Sequence, residues 1–227
     1  MVGKSVESNT IWQSAFWAVL ALLIPVAASA HPHIWISQRL EPITEGGRYT
    51  ALDIEWRFDP ESSENEIAAI DRNSDGVLSV EENNRLIADT LAALEKAGFM
   101  SWLNTGGTDF RPTKAASFKA AIEDPASFTP PDWDRHAGDK DAPVSEAKEP
   151  KSPPHASRNL VYRIRIALPQ PVKAFTVTTF DPEDFIRVEV DKAKVPAGCT
   201  VAKHPTYKSE FIPGQPVFAD TVRCTLP

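Results

Sequence analysis

The chain has little cysteine, no cluster of basic residues and, beyond residue 30, no long apolar run. Its 227 residues hold two cysteines, Cys199 and Cys224. An isolated pair in an oxidising compartment usually forms a disulfide, and the wide spacing argues against a thiolate metal pair. No free thiol then remains as a nucleophile. The lack of a Lys/Arg cluster, on a chain of formal net charge −7, argues against nucleic acid as a partner and is compatible with cations. No segment after residue 30 suits a bilayer span, which needs about 20 apolar residues. Catalytic signatures are missing too: there is no G-x-S-x-G and no H-E-x-x-H. The one dense carboxylate run, Asp181-Pro182-Glu183-Asp184, reads as a turn and a solvated face rather than a hydrolase pair. The chain is therefore expected not to be an enzyme. No repeat occurs at the periods typical of solenoids.

What is present begins with a leader. Lys4 gives a weakly positive start, and Asn9 to Ala30 carries no charge. Phe16 to Ala30 is apolar and ends in the small residues Ala28-Ser29-Ala30. This is the layout of a signal peptide over residues 1–30, cleaved after Ala30. The mature protein is expected to be soluble and exported, with no membrane span after cleavage. About 197 of the 227 residues remain, enough for one sizeable core or two small ones. A Cys199–Cys224 bridge would close a loop of about 25 residues and stabilise the fold by roughly 3 kcal/mol in the chain-entropy model.

Periodicity places the elements. Residues 33–58 read as a β-hairpin around Glu45-Gly46-Gly47, with Leu52, Ile54, Trp56 and Phe58 on one face. Asp59 is a good N-cap and Pro60 suits the first helical position, so a helix starts there and ends near Ile67 and Ile70. After a loop at 71–82, a second helix is predicted from about Val80 to Lys96, with Leu86, Ile87, Thr90, Leu91 and Leu94 at helical spacing and Gly98 as a stop. Phe99 to Arg111 looks like a short hairpin around Gly106-Gly107, and Lys114 to Ile122 like a strand. Residues 124–157 hold seven of the twenty prolines and many charges, the composition of a flexible loop. Strands resume at 160–168, 175–180 and 185–190, with two more in the cysteine-bearing tail. The expected organisation is a β-hairpin plus helical pair over 31–123, the Pro-rich loop at 124–157 and a C-terminal β segment over 158–227 that joins 31–123 in one domain. The fold class is α+β: a mainly antiparallel sheet or sandwich with an inserted EF-hand-like helix-loop-helix.

The loop between the helices carries the strongest local motif. Asp71-Arg72-Asn73-Ser74-Asp75-Gly76-Val77-Leu78-Ser79-Val80-Glu81-Glu82 matches the calcium-binding EF-hand loop at every position with a role. Asp71, Asn73 and Asp75 would give side-chain oxygens, Val77 its carbonyl, Ser79 a direct or water-mediated contact, and Glu82 a bidentate carboxylate. Gly76 permits the sharp turn, and Leu78 anchors the loop. Ca²⁺ is the expected ion, with a structural role, because a single hand lacks the partner that sensor hands use.

Five histidines are present: His31, His33, His136, His155 and His204. His136 and His155 fall in the Pro-rich loop and read as solvated. Cleavage after Ala30 would make His31 the N-terminus, so that its α-amine and imidazole stand two residues from the His33 imidazole. Residues two apart on an extended chain point to the same side. Pro32 has no N–H, which rules out the square-planar amino-terminal copper/nickel site. What remains is a three-nitrogen chelate suited to Zn²⁺, Ni²⁺ or Cu²⁺, with positions open for a carboxylate, water or His204. Freeing the amine at pH 7 costs only about 1 kcal/mol.

Four segments resemble a family of bacterial periplasmic proteins of the domain-of-unknown-function type, labelled as the periplasmic component of an uncharacterised ABC-type transport system. They are His31-Pro32-His33-Ile34-Trp35, Trp56-Arg57-Phe58-Asp59, the loop 71–82, and Thr179-Phe180-Asp181-Pro182-Glu183-Asp184-Phe185. Where family members commonly carry tyrosine before Asp-Pro, this chain has Phe180. The resemblance implies an accessory protein found beside nickel/cobalt/zinc-type permeases, and hence a metal-transport membrane permease as partner. Two expectations follow. One is a metallochaperone-like accessory protein that binds metal at His31 and His33. The other is a calcium-stabilised protein-interaction module without transition-metal binding.

Overall fold

The alternation between residues 48 and 58 builds the centre of the first sheet. A computed structural model describes residues 34–124, 158–209 and 216–227. Strands β1 (Ile34–Glu45) and β2 (Arg48–Phe58) form the expected hairpin, turning at Gly46-Gly47. Leu52, Ile54, Trp56 and Phe58 of β2 all point into the core. Helix α1 (Pro60–Ile70) follows, capped by Asp59, and helix α2 (Val80–Lys96) begins at the residue its pattern predicts. Leu86 of α2 is buried, and Ile87, Leu91 and Leu94 pack on the core from its edge. Next come β3 (Ser101–Thr105), β4 (Thr108–Phe110), β5 (Ser117–Glu123), β6 (Asn159–Val172), β7 (Ala174–Thr179), β8 (Ile186–Val190), β9 (Cys199–Ser209) and β10 (Val217–Thr225).

The strands form two five-stranded sheets, ordered β5-β6-β2-β1-β8 and β4-β3-β7-β10-β9. Among the described residues all strand pairings are antiparallel except β1 with β8, which is parallel from Ile34↔Ile186 to Gln38↔Val190. Each sheet draws strands from both sides of residues 125–157, and one hydrophobic core contains residues of both. Tyr49 of β2 meets Phe175 of β7 edge to face, with ring centroids 5.1 Å apart. The fold is thus α+β, mostly β, with two helices.

The indole of Trp56 and the hydroxyl of Ser63 are both paired inside this core. The Trp56 indole N–H donates to Gln38 Oε1 at 2.9 Å, and both residues are 1% exposed. The Ser63 hydroxyl donates to the Phe58 carbonyl at 3.3 Å and accepts from the Leu160 N–H at 3.0 Å, tying α1 to β2 and β6. This was not legible from periodicity: Ser62 and Ser63, not the helix's isoleucines, are the fully buried residues of α1.

The outward face of the first sheet is a ladder of charge. Asp53 pairs with Arg165, and Glu55 with Arg39, Arg57 and Arg163. Arg39 also reaches the buried Asp191 at 2.9 Å, and Arg57 reaches Glu123 at 2.8 Å. Burial works against ionisation of Glu123, but the Arg163 and Arg57 guanidiniums outweigh it and hold the carboxyl below the usual carboxylate range.

In the second sheet Cys199 and Cys224 are directly opposed on β9 and β10 and form a disulfide. Among the described residues no helix is long and apolar enough to cross a membrane.

Two outcomes test this packing. Removing the bridge with Cys199→Ser/Cys224→Ser should cost roughly 3 kcal/mol in denaturant unfolding, and reductant should do the same to the parent chain alone. Gln38→Ala strands the Trp56 N–H in the core and should cost about 1–3 kcal/mol, read from the urea midpoint.

Candidate functional site

Residues 71–82 form a closed loop between α1 and α2, built on acceptor side chains. The Asp71 carboxylate is 5% exposed and accepts the Asp75 N–H at 3.2 Å and the Gly76 N–H at 2.8 Å. Asn73 Oδ1 accepts the Asp75 N–H at 3.1 Å, and Asp75 Oδ1 accepts the Val77 N–H at 2.8 Å. Gly76 has φ +77°, and the Arg158 guanidinium lies against its Cα and donates to its carbonyl. A side chain at Gly76 would therefore meet both backbone strain and Arg158.

The far end of the loop is the start of α2. Ser79 is the N-cap and Glu82 stands at the third helical position, forming a reciprocal capping box. Glu82 Oε2 accepts from the Ser79 hydroxyl at 2.7 Å and the Ser79 N–H at 2.9 Å, while Oε1 accepts the Arg72 N–H at 2.8 Å. The Ser79 hydroxyl first, then the N–H groups of Ser79 and Arg72, hold the Glu82 carboxyl below the usual carboxylate range. One carboxylate thus joins the second residue of the loop to the helix cap. The oxygens expected to face calcium are here turned to N–H and O–H donors of the loop. Among the described residues, no group of three or more His, Cys, Asp or Glu side chains is arranged to hold a metal ion. The chemistry of the donor set still fits a hard cation, since Asp71, Asn73, Asp75, Ser79, Glu82 and the Val77 carbonyl all offer oxygen.

A second acidic region lies where β1 enters the sheet. Asp59 Oδ2 accepts the Trp35 N–H at 2.8 Å and the Ser62 hydroxyl at 2.6 Å, Oδ1 accepts the Ser62 N–H at 2.8 Å, and the Asp59 N–H donates to the Trp35 carbonyl at 2.9 Å. One side chain therefore caps α1 and anchors the first turn of β1. Beside it, Ile34 pairs with Ile186 at the end of the 181–185 turn. Asp181 organises that turn by accepting the N–H groups of Glu183, Phe185 and Ile186 at 3.0, 2.9 and 2.8 Å. Three of the segments carrying the family resemblance thus meet at one end of the first sheet. Sequence reading placed Asp59 at the helix cap and Asp181 in a turn but missed that Asp59 reaches β1, because the bond spans 24 positions of the chain.

His31 and His33 lie outside the described residues, as do residues 1–30, His136 and His155. His204 is described: its Nδ1 accepts the N–H groups of Thr206 and Tyr207 at 3.2 and 2.9 Å, and its ring stacks on Tyr207 at 4.0 Å. Burial lowers its pKa, and the accepted bonds place the proton of the neutral ring on Nε2.

A disulfide-bonded α+β protein with a carboxylate-rich interhelical loop is the class these features define. Residues 16–213 match the family described as "Protein of unknown function (DUF1007)", and the chain belongs to that family. No curated protein and no solved structure matches it.

Asp59→Ala should remove both the α1 cap and the β1 anchor. The expected loss is about 1–2 kcal/mol, with faster hydrogen exchange at the Trp35 amide by NMR. Glu82 gives a pH test. Its folded pKa is depressed, so its contribution to stability is complete above the unfolded value, about 4.3, and is lost as pH falls through the lower folded value. Melting temperatures measured down through that range should fall more steeply for the parent than for Glu82→Gln.

Proposed function

We propose that the chain is an exported metal-binding accessory protein of a transition-metal transport system. It takes Zn²⁺, Ni²⁺ or Cu²⁺ at His31 and His33 and passes it to a membrane permease. The observation that carries this reading is the fixed entry of β1. The chain bearing both histidines joins the fold at Ile34, where Asp59 and the Asp181 turn secure the neighbouring backbone. A chelate at His31 and His33 would stand immediately before this anchored entry in the chain. The disulfide supports an oxidising, exported setting. The loop 71–82 acts as a calcium-type scaffold. On binding, Glu82 would exchange its capping-box donors for the ion, so occupancy would be coupled to the start of α2.

A second reading is a calcium-stabilised interaction module without transition metal. It is favoured by the apolar side chains at the loop, Val77 being 63% and Val80 80% exposed.

Metal titration separates the two. Protein beginning at His31 should bind Ni²⁺, Zn²⁺ or Cu²⁺, and His31→Ala/His33→Ala should lose that binding. A residue added before His31 should weaken binding by blocking the amine. Equal affinity in the double variant sinks the first reading. For the loop, Ca²⁺ should raise the melting temperature of the parent and leave Asp71→Ala/Glu82→Ala unmoved.

A further inference from the structure

The register of β5 on β6 creates a charge conflict on the outward face of the first sheet. Lys119 lies directly opposite Arg163, and Ser117 directly opposite Arg165. Like charges in directly opposed positions weaken an antiparallel pair. Arg163 is answered by Glu55 at 2.9 Å and by Glu123, and Arg165 by both oxygens of Asp53 at 2.6 Å. Lys119 has no side-chain partner among the described residues. Both arginines spend Nε and Nη2 on carboxylates, and the Nη1 of each has no partner among the described residues. Two guanidinium Nη1 groups, an ammonium and a hydroxyl thus form a square on two adjacent strands.

This square lines a surface concavity of about 650 Å³, whose lining also includes Lys194 and Glu41. That size falls in the range of small-molecule sites, about 300–1,000 Å³, and far exceeds what one inorganic anion fills. The unspent groups at the square are donors from three cations, with one hydroxyl beside them. A ligand that satisfies them must bring acceptors and negative charge, since cationic N–H donors make their strongest hydrogen bonds to oxyanions. We propose that the concavity binds a small organic oxyanion, a carboxylate or phosphate ester, with its charge seated among Lys119, Arg163 and Arg165. The ligand would supply the counter-charge that β2 and β5 leave missing opposite Lys119. The site is separate from the metal reading: none of its residues belongs to the loop 71–82 or to the entry of β1.

Calorimetric titration of the whole exported chain in metal-free, low-salt buffer tests this, with citrate and glycerol phosphate as probes. At least one probe should bind, and more weakly as salt rises. Lys119→Gln should weaken it at least tenfold. Lys119→Glu should abolish binding yet leave the ligand-free melting temperature at or above that of the parent, since the introduced carboxylate answers Arg163. Lys96→Glu makes the same change of charge outside the concavity and should leave affinity intact. Binding of citrate alone assigns a carboxylate ligand, and binding of glycerol phosphate alone a phosphate ester. No binding of either probe, affinity retained in Lys119→Glu, an equal loss in Lys96→Glu, or a lowered melting temperature in Lys119→Glu would each overturn the proposal.

Discussion

The pleat of β2 is the constraint on which the rest of the structure depends. This strand lies between β1 and β6. Successive side chains point to opposite faces, so the same eleven residues serve two environments. Leu52, Ile54, Trp56 and Phe58 fill the core, while Asp53, Glu55 and Arg57 organise the charged outer face. A slip of one residue would put the indole in water and three charges in the core, which fixes the register on both sides. Once it is set, Gln38 falls opposite Trp56, Arg39 opposite Glu55, and Arg163 and Arg165 opposite Glu55 and Asp53.

The two faces stabilise the protein unequally. Apolar burial and the satisfied Gln38–Trp56 bond work in a dry interior, where an unmade hydrogen bond is costly. The ladder outside is partly solvated, with Arg163 and Arg165 near half exposed, and such pairs contribute little individually. Its value lies in arrangement: it spaces guanidinium groups regularly along β6 and, among the described residues, leaves Lys119 unanswered on the edge strand β5. The interhelical loop uses the opposite device, a cluster of acceptors closed by its own N–H groups.

Much of this was legible in the chain. The hairpin to Phe58, the Asp59-Pro60 helix start, the second helix from Val80 and the turns at Gly46-Gly47 and Gly106-Gly107 all rest on local rules, and all are present. The Cys199–Cys224 pairing was legible because only two cysteines exist. Alternation could not reveal the partners of each strand. The parallel β1–β8 pairing and the division into two sheets depend on contacts between distant segments. The roles of Asp59 and Ser63 were hidden for the same reason, since each bonds across the fold through a short polar side chain.

By itself, the sequence determined where the two helices and the first hairpin lie, which strand faces are apolar, which cysteines pair and which loop offers oxygen donors. Each of those follows from chemistry within a few residues, or from elimination. Only the tertiary structure decided that three family-like segments meet at one sheet end, that Arg158 packs on Gly76, and that Lys119 opposes Arg163. Those are matters of register and close approach, and register is settled by the packing of a shared core rather than by any one segment.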